Sequence, residues 1–208
     1  MSRFEDMSDE YLRATYIPDV YQKTINGIAY EKLKKAGIKA ISFDIDDTIL
    51  PIQDHKLNPN DIIFFNNLKK KGFEIYLLSN ANEKRVGRFA KQLKVDYISC
   101  AEKPDDAGFK AIMQMYETKH GSTITPNEMA HVGNNIIKDV GCGNSFGVVT
   151  CLVRSVGILP KVYRFIHETD GRKLRKVLLE RRIWRKHHLK KKNDQYYQLN
   201  ESQIRFEA

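Results

Sequence analysis

Apolar and polar positions along the chain follow two alternating rhythms. Short apolar runs bounded by Gly, Pro, Asn or Asp read as buried strands. Stretches whose apolar residues return every three or four positions read as helices. A helix over 30–37, closed by Gly37, leads into a strand over 40–45. Asn58-Pro59-Asn60-Asp61 then opens a helix with Ile62, Ile63, Phe65 and Leu68 on one side, ending at Gly72. A second buried strand covers 73–78, and a helix over 83–94 turns Val86, Phe89, Ala90 and Leu93 inward. A short strand at 97–99 follows, and Lys103-Pro104 opens a helix containing Phe109, Ile112 and Met113. Ala130-His131-Val132 and 148–153 are the remaining strands, with a Gly-punctuated helix between them. Residues 17–28 read as an irregular lead-in with a short helix. Strands that alternate with helices predict an α/β fold: a three-layer α/β/α, Rossmann-like parallel sheet.

This pattern divides the 208 residues into a lead-in (1–39), a core (40–158) and a C-terminal segment (159–208). A hydrophobic content of 41% suffices for a core, and no internal repeat is visible. The formal net charge of +9 is concentrated at one end: residues 161–192 hold thirteen Lys/Arg against three acids. The basic character is thus added to a nearly neutral body. Cys100, Cys142 and Cys151 are odd in number and lack C-x-x-C spacing, which argues against a disulfide scaffold or a zinc site and suits a reducing compartment. The acidic start MSRFEDMSDE does not resemble a signal peptide. No stretch approaches the roughly 18 apolar residues of a membrane span. The expected location is cytoplasmic, either free or peripheral at the inner membrane face.

Candidate chemistry gathers where strands end. Asp44 and Asp46 close the first core strand two positions apart. In an open parallel sheet, ligands bind just beyond the carboxyl ends of strands. Two carboxylates this close repel unless a cation or a shared proton intervenes, and a hard divalent ion such as Mg2+ suits oxygen ligands. A strand ending in a capped turn accounts for the same residues. Three further strand ends carry polar groups: Ser79, Lys103 and Asp139, the last six residues after Gly133. Taken singly, Ser79 is equally a turn residue, and Lys103 is more readily a surface cation at a helix start. Their order and shared placement at strand ends make the stronger signal.

FDIDDTIL, LLSNAN, Lys103-Pro104 and HVGNNIIKD resemble the four motifs of the haloacid dehalogenase superfamily of phosphatases, over about residues 40–155. The resemblance implies Asp44 as a nucleophile that accepts the phosphoryl group. It implies Asp46 as the general acid for the leaving oxygen and then the base for water. Ser79 would hydrogen-bond a phosphoryl oxygen, and Lys103 would neutralise Asp44 and the phosphate. Thr48 and Asn80 are expected beside the substrate. Asp44, the Asp46 backbone carbonyl and the last motif, through Asn134 and Asp139, are expected to hold Mg2+. One departure stands out. The last motif usually begins Gly-Asp, whereas here it is Gly133-Asn134. An amide oxygen can ligate Mg2+ but lacks the charge, so weak metal binding and loss of activity are both consistent with it.

The flanks resemble a narrower group, the YqeG-type phosphatases, similar to phosphatidylglycerophosphate phosphatases of the mitochondrial type. The matching stretches are Ile17-Pro18-Asp19, Glu31-Lys32-Leu33-Lys34, Ser79 to Val86, and Gly143-Asn144-Ser145-Phe146-Gly147. Larger members of the superfamily insert a cap domain between the motifs. Here Thr48 to Ser79 has room for one loop and one helix, and Ser79 to Lys103 for one helix and one strand. An open site lets bulky substrates such as a lipid headgroup or a phosphoprotein reach Asp44, and admits small metabolites too if a partner or an oligomer excludes water. Leu174, Val177, Leu178 and Trp184 fall at roughly helical spacing among Arg and Lys. A basic amphipathic helix suits an anionic membrane surface, and nucleic acid less well. A helix packed on the core with its charges in solvent fits too. The alternative to an enzyme is a catalytically weak module that makes its contacts through this basic segment.

Overall fold

The computed structural model describes residues 2–157 and 169–184. The elements in chain order are α1 (Asp9–Tyr16), β1 (Val20–Gln22), α2 (Tyr30–Lys35), β2 (Ala40–Phe43), α3 (Pro59–Lys70), β3 (Glu74–Leu78) and α4 (Glu83–Leu93). They continue with β4 (Asp96–Ile98), α5 (Ala107–His120), β5 (Met129–Gly133), a π-helical turn at Ile136–Gly141, α6 (Cys142–Phe146), β6 (Val149–Val153) and α7 (Thr169–Glu180).

Among the described residues, the six strands form one parallel sheet in the order β1-β6-β5-β2-β3-β4. β2 lies inside the sheet, between β5 and β3, and is buried along its whole length, as suits a parallel strand covered on both faces. Ile41 pairs with Ile75 on one side and with Ala130 on the other. The layers follow from the alternation of side chains. Ile41 and Phe43 face one cluster with Leu33, Phe65, Val86 and Phe89 from α2, α3 and α4. Phe43 meets Phe65 edge to face at 4.9 Å. Ala40, Tyr76 and Leu78 face the opposite side, under Phe109 and Ile112 of α5.

Local chemistry fixes the helix ends. Asn58 and Asp61 form a capping box with Pro59 in the first turn, so α3 starts where the sequence reading placed it. Its far face differs: Ile63 is 55% exposed, because Phe65 and Leu68 occupy the space over the sheet. The lead-in also differs, for Val20–Gln22 is a strand that extends the sheet beside β6. The helix after Lys103-Pro104 begins at Ala107, three residues after Pro104, and part of the Gly-punctuated helix is the π-helical turn.

α7 buries Leu174, Val177 and Leu178 in one cluster with Phe4, Leu12, Tyr16 and Ile136. Side chains of that size contribute about 1.5–3 kcal/mol each when fully buried. Trp184 lies edge to face with Tyr21 at 5.6 Å, and Arg181 Nη1 donates to the Met7 carbonyl at 2.7 Å. The apolar side of this helix is therefore covered by the fold. Arg172, Lys173, Arg175 and Lys176 stay exposed on its outer side. The rest of the basic run, 161–168 and 185–192, lies outside the described residues. Among the described residues no helix is long and apolar enough to cross a membrane.

Candidate active site

The site begins where β2 stops pairing. The Asp44 amide still donates to the Val132 carbonyl at 2.9 Å, which holds its side chain at the rim of the sheet. The chain then turns sharply: Thr48 and Ile49 both donate to the Ile45 carbonyl, and Asp47 sits at φ 59°. Asp tolerates that left-handed conformation better than most residues because its short side chain can bond locally, and here Asp47 Oδ1 accepts from the Ile52 amide at 3.0 Å. The turn brings Thr48 Oγ1 back to donate to Asp44 Oδ2 at 3.2 Å. Thr48 is fully buried, and in this structure its hydroxyl is turned to Asp44.

Lys103 reaches Asp44 from the loop after β4, across the end of β3. Its ammonium donates to Asp44 Oδ1 (2.9 Å), Asp139 Oδ1 (2.6 Å) and the Leu78 carbonyl (2.9 Å). Those three bonds use all its protons, and only 4% of the residue is exposed. Asn80 clamps its backbone: the Lys103 amide donates to Asn80 Oδ1 at 2.8 Å, and Asn80 Nδ2 donates to the Lys103 carbonyl at 3.0 Å. Asn80, expected beside the substrate, thus positions the lysine. Ser79 ends β3 at the same rim, its hydroxyl accepting from the Ala81 amide at 3.3 Å.

Asp139 has both oxygens engaged. Oδ1 takes Lys103 and lies 3.2 Å from His131 Nε2, while Oδ2 accepts from the Asn135 amide at 2.8 Å. His131 Nδ1 lies 2.8 Å from Ser42 Oγ. A carboxylate only accepts, so Nε2 carries the proton and Nδ1 accepts from Ser42. Gly133 leaves the space for this arrangement, because a Cβ there would overlap the Asp139 carboxylate. Asn134, the next residue, donates from Nδ2 to Ser155 Oγ at 3.0 Å.

The electrostatics set the two acids apart. Burial raises the Asp44 carboxyl, Lys103 pulls it back, and the negative charges of Asp139 and Asp46 add to the rise, so that the balance leaves it at about 6. Burial acts on Asp139 in the same sense, but Lys103 and His131 together outweigh it and hold Asp139 below the usual carboxylate range. For Lys103, burial favours the neutral amine, yet the charges of Asp139 and Asp44 prevail and raise it. Burial leaves His131 below its ordinary value, in keeping with a neutral ring.

Asp44, Lys103, Asp139 and Thr48 are therefore in direct contact, with Asn80 acting through the Lys103 backbone. Asp46 is joined to none of them. Its Oδ1 meets Arg85 Nε and Nη2, each at 2.6 Å. Arg85 and His131 were missed as site residues in the sequence reading. For His131 a signal existed: Ser42 and His131, a polar pair inside two apolar strands, stand opposite each other in the β2–β5 register. Arg85 lies in the stretch from Ser79 to Val86 that carries the YqeG-type resemblance, but one Arg in the first turn of a helix gave no sign of its partner.

An aspartate at the end of an inner strand of such a sheet, against a buried lysine from a neighbouring loop, agrees with the class to which comparisons with known proteins assign the chain, hydrolases of the haloacid dehalogenase superfamily. Residues 11–157 match the family described as mitochondrial PGP phosphatase. "Probable phosphatase YqeG" of Bacillus subtilis (strain 168) is 31% identical over 142 residues, 68% of this chain and 79% of that protein. The chain belongs to this family of phosphatases. The fold is also similar to that of the cobalt-bound deoxy-D-mannose-octulosonate 8-phosphate phosphatase YrbI of Haemophilus influenzae. That match is 15% identical with a TM-score of 0.46, covering 70% of this chain and 92% of the other. A third similarity is to 3-deoxy-D-manno-octulosonate 8-phosphate phosphatase of Moraxella catarrhalis, solved with magnesium, phosphate and KDO. It is 18% identical with a TM-score of 0.40, covering 73% of this chain and 98% of the other.

Proposed function

We propose that this phosphatase hydrolyses a bulky phosphomonoester, of which a phosphatidylglycerophosphate headgroup is the leading candidate, through an aspartyl-phosphate on Asp44 with Mg2+ bound. The observation that carries the reading is the Lys103 ammonium 2.9 Å from the Asp44 carboxylate, at a rim with no inserted domain over it among the described residues. Between β2 and β3 the chain holds one loop and α3, which leaves access for a large ester.

Asp44 attacks phosphorus in line, forming one O–P bond as the ester O–P bond breaks. Asp46 gives its proton to the leaving oxygen and then takes one from the water that cleaves the acyl phosphate. Ser79 would hydrogen-bond an equatorial oxygen, and Lys103, held against Asp44, supplies positive charge near the rim where negative charge spreads in the transition state. Thr48 and Asn80 are assigned to positioning Asp44 and Lys103, and Asp139 to the lysine in preference to the metal.

The remaining donors fit Mg2+. They are the Asp44 carboxylate, the Asp46 backbone carbonyl and the Asn134 carboxamide oxygen, all at adjoining ends of β2 and β5. Among the described residues no three His, Cys, Asp or Glu side chains form a metal cage. Mg2+ keeps several waters and takes one or two carboxylates with phosphate oxygens, so a small set suits it. The upward push on Asp44 also marks a place where one more cation is favoured. When bound, the ion supplies charge neutralisation over the phosphoryl group.

The test is phosphate release from vesicle-borne phosphatidylglycerophosphate, from glycerol phosphate and from an aryl phosphate, with and without Mg2+. Faster release from the lipid than from glycerol phosphate supports the substrate assignment. No Mg2+-stimulated release from any of the three overturns the reading.

Asn134→Asp is expected to tighten Mg2+ on the order of tenfold, because hard cations prefer charged oxygens. Activity at limiting metal should rise, and the gain should shrink at saturating metal. Calorimetric titration of both proteins decides it. Unchanged affinity would mean that the carboxamide already serves, or that a third acid beside Asp44 and Asp46 repels as much as it binds.

A further inference from the structure

The geometry points to Arg85 as a positioning residue for proton transfer: we infer that it anchors one oxygen of Asp46 so that the other presents the proton to the leaving group. The inference rests on the reading of Asp46 as acid and base. Arg85 stands in the first turn of α4, where the Asn82 side chain accepts from its amide at 3.0 Å. The helix is rigidly seated, since Val86, Phe89, Ala90 and Leu93 are all buried. The Arg85 side chain is only 14% exposed, and its guanidinium carbon lies 5.2 Å from the Phe89 ring centroid. Two nitrogens, Nε and Nη2, converge on Asp46 Oδ1 at 2.6 Å. The third, Nη1, donates to the Asp54 carbonyl at 2.9 Å. One guanidinium therefore fastens both Asp46 and the loop that follows the Asp47 turn.

This contact has a chemical consequence. A guanidinium only donates, so the oxygen it holds stays an acceptor in both protonation states of Asp46. The proton of the neutral acid is then confined to Oδ2. As the ester O–P bond breaks, the Oδ2 proton moves to the departing oxygen. The carboxylate left behind finds its charge already met at Oδ1. Without Arg85 the carboxyl can rotate, and either oxygen can carry the proton in a direction away from the ester. Lysine at this position keeps a charge but offers one nitrogen, which cannot span Asp46 and Asp54 with the same planar fork.

The experiment compares Asp46→Asn, Arg85→Ala and Arg85→Lys on two esters under kcat/KM conditions, which report the first phosphoryl transfer. The p-nitrophenyl ester leaves without a proton, whereas glycerol phosphate needs one. Asp46→Asn should lose about 10²–10⁴-fold on glycerol phosphate and far less on the aryl ester. Arg85→Ala should show the same discrimination, with at least a tenfold greater loss on glycerol phosphate, and Arg85→Lys should fall between it and the wild type. Inhibition by inorganic phosphate should be unchanged in both Arg85 variants. Equal losses on the two esters, or weakened phosphate inhibition, overturn the inference by making Arg85 a structural residue or a substrate contact. If Arg85→Ala does not fold, the discrimination in Arg85→Lys decides alone, and its absence counts against the inference. Loss of discrimination in Asp46→Asn itself rejects the reading of Asp46, a result distinct from failure at Arg85 alone.

Discussion

Replacing Asp44 by Asn is expected to abolish turnover while leaving the protein folded. The Asp44 carboxylate is the proposed nucleophile that forms the acyl phosphate, and a carboxamide cannot take that part. Loss of a covalent nucleophile is felt on the order of 10⁵–10⁶ in kcat. The fold should tolerate the change because Asn can keep the local bonds. Its Oδ1 can accept from Lys103, as Asp44 Oδ1 does at 2.9 Å, and Lys103 retains Asp139 at 2.6 Å. Burial already opposes ionisation of Asp44, so an uncharged replacement removes an unfavourable burden along with a favourable pair. Phosphate release with Mg2+ and a thermal melt check the two halves of this expectation. Mass spectrometry must exclude deamidation back to Asp. Wild-type turnover in intact, folded Asp44→Asn removes Asp44 from the nucleophile role.

The fold was legible where the sequence carried dense local information. Ile41-Ser42-Phe43 and Ile75-Tyr76-Leu77-Leu78 are buried on both faces, and continuous apolar runs of that kind have few other uses in a chain that alternates with helices. β1 was not legible, because three residues with no alternation become a strand only by pairing with β6, some 130 positions away. The periodicity of Leu174, Val177 and Leu178 was read correctly as one helical side. Packing of that side on the core was one of the readings the sequence left open, but the residues that cover it were not legible, since Phe4, Leu12 and Tyr16 come from the opposite end of the chain. The same limit applies at the site. Motif spacing pointed to Asp44, Ser79, Lys103 and Asp139, all of which lie at the carboxyl ends of neighbouring strands or in the loops just beyond them. Thr48 and Asn80 were expected to face substrate, yet their hydrogen bonds run to Asp44 and to the Lys103 backbone. Which way a polar side chain turns depends on long-range partners, and spacing along the chain does not encode that.

Lys103→Met should damage activity and stability together, and its stability defect should depend on pH. Met fills a similar volume without the charge. Two buried acids, Asp44 and Asp139, would then face each other without the cation that each now holds at under 3 Å. Removing one partner from a buried ionic group typically costs about 3–5 kcal/mol. The sign of the pH dependence follows from linkage. In the wild type, Asp139 is held low, so it contributes stability above the ordinary carboxylate range that is lost as pH falls through its folded value. Lys103 is held high, so its contribution is full below the ordinary lysine range and lost only in strong alkali. Without Lys103, both carboxyls shift upward in the folded state. Their penalty is then largest at neutral pH and is relieved as pH falls and they take up protons. The gap in Tm between wild type and Lys103→Met should therefore be wide at about pH 7 and narrow toward pH 5, near the range where free carboxylates titrate. Activity should not recover with it, because loss of a positioned charge costs about 10²–10³-fold in transition-state stabilisation. Melts of both proteins across that range are the measurement. A gap that stays constant from pH 7 to pH 5 would show that lost packing, and not the two stranded carboxylates, is the source of the defect.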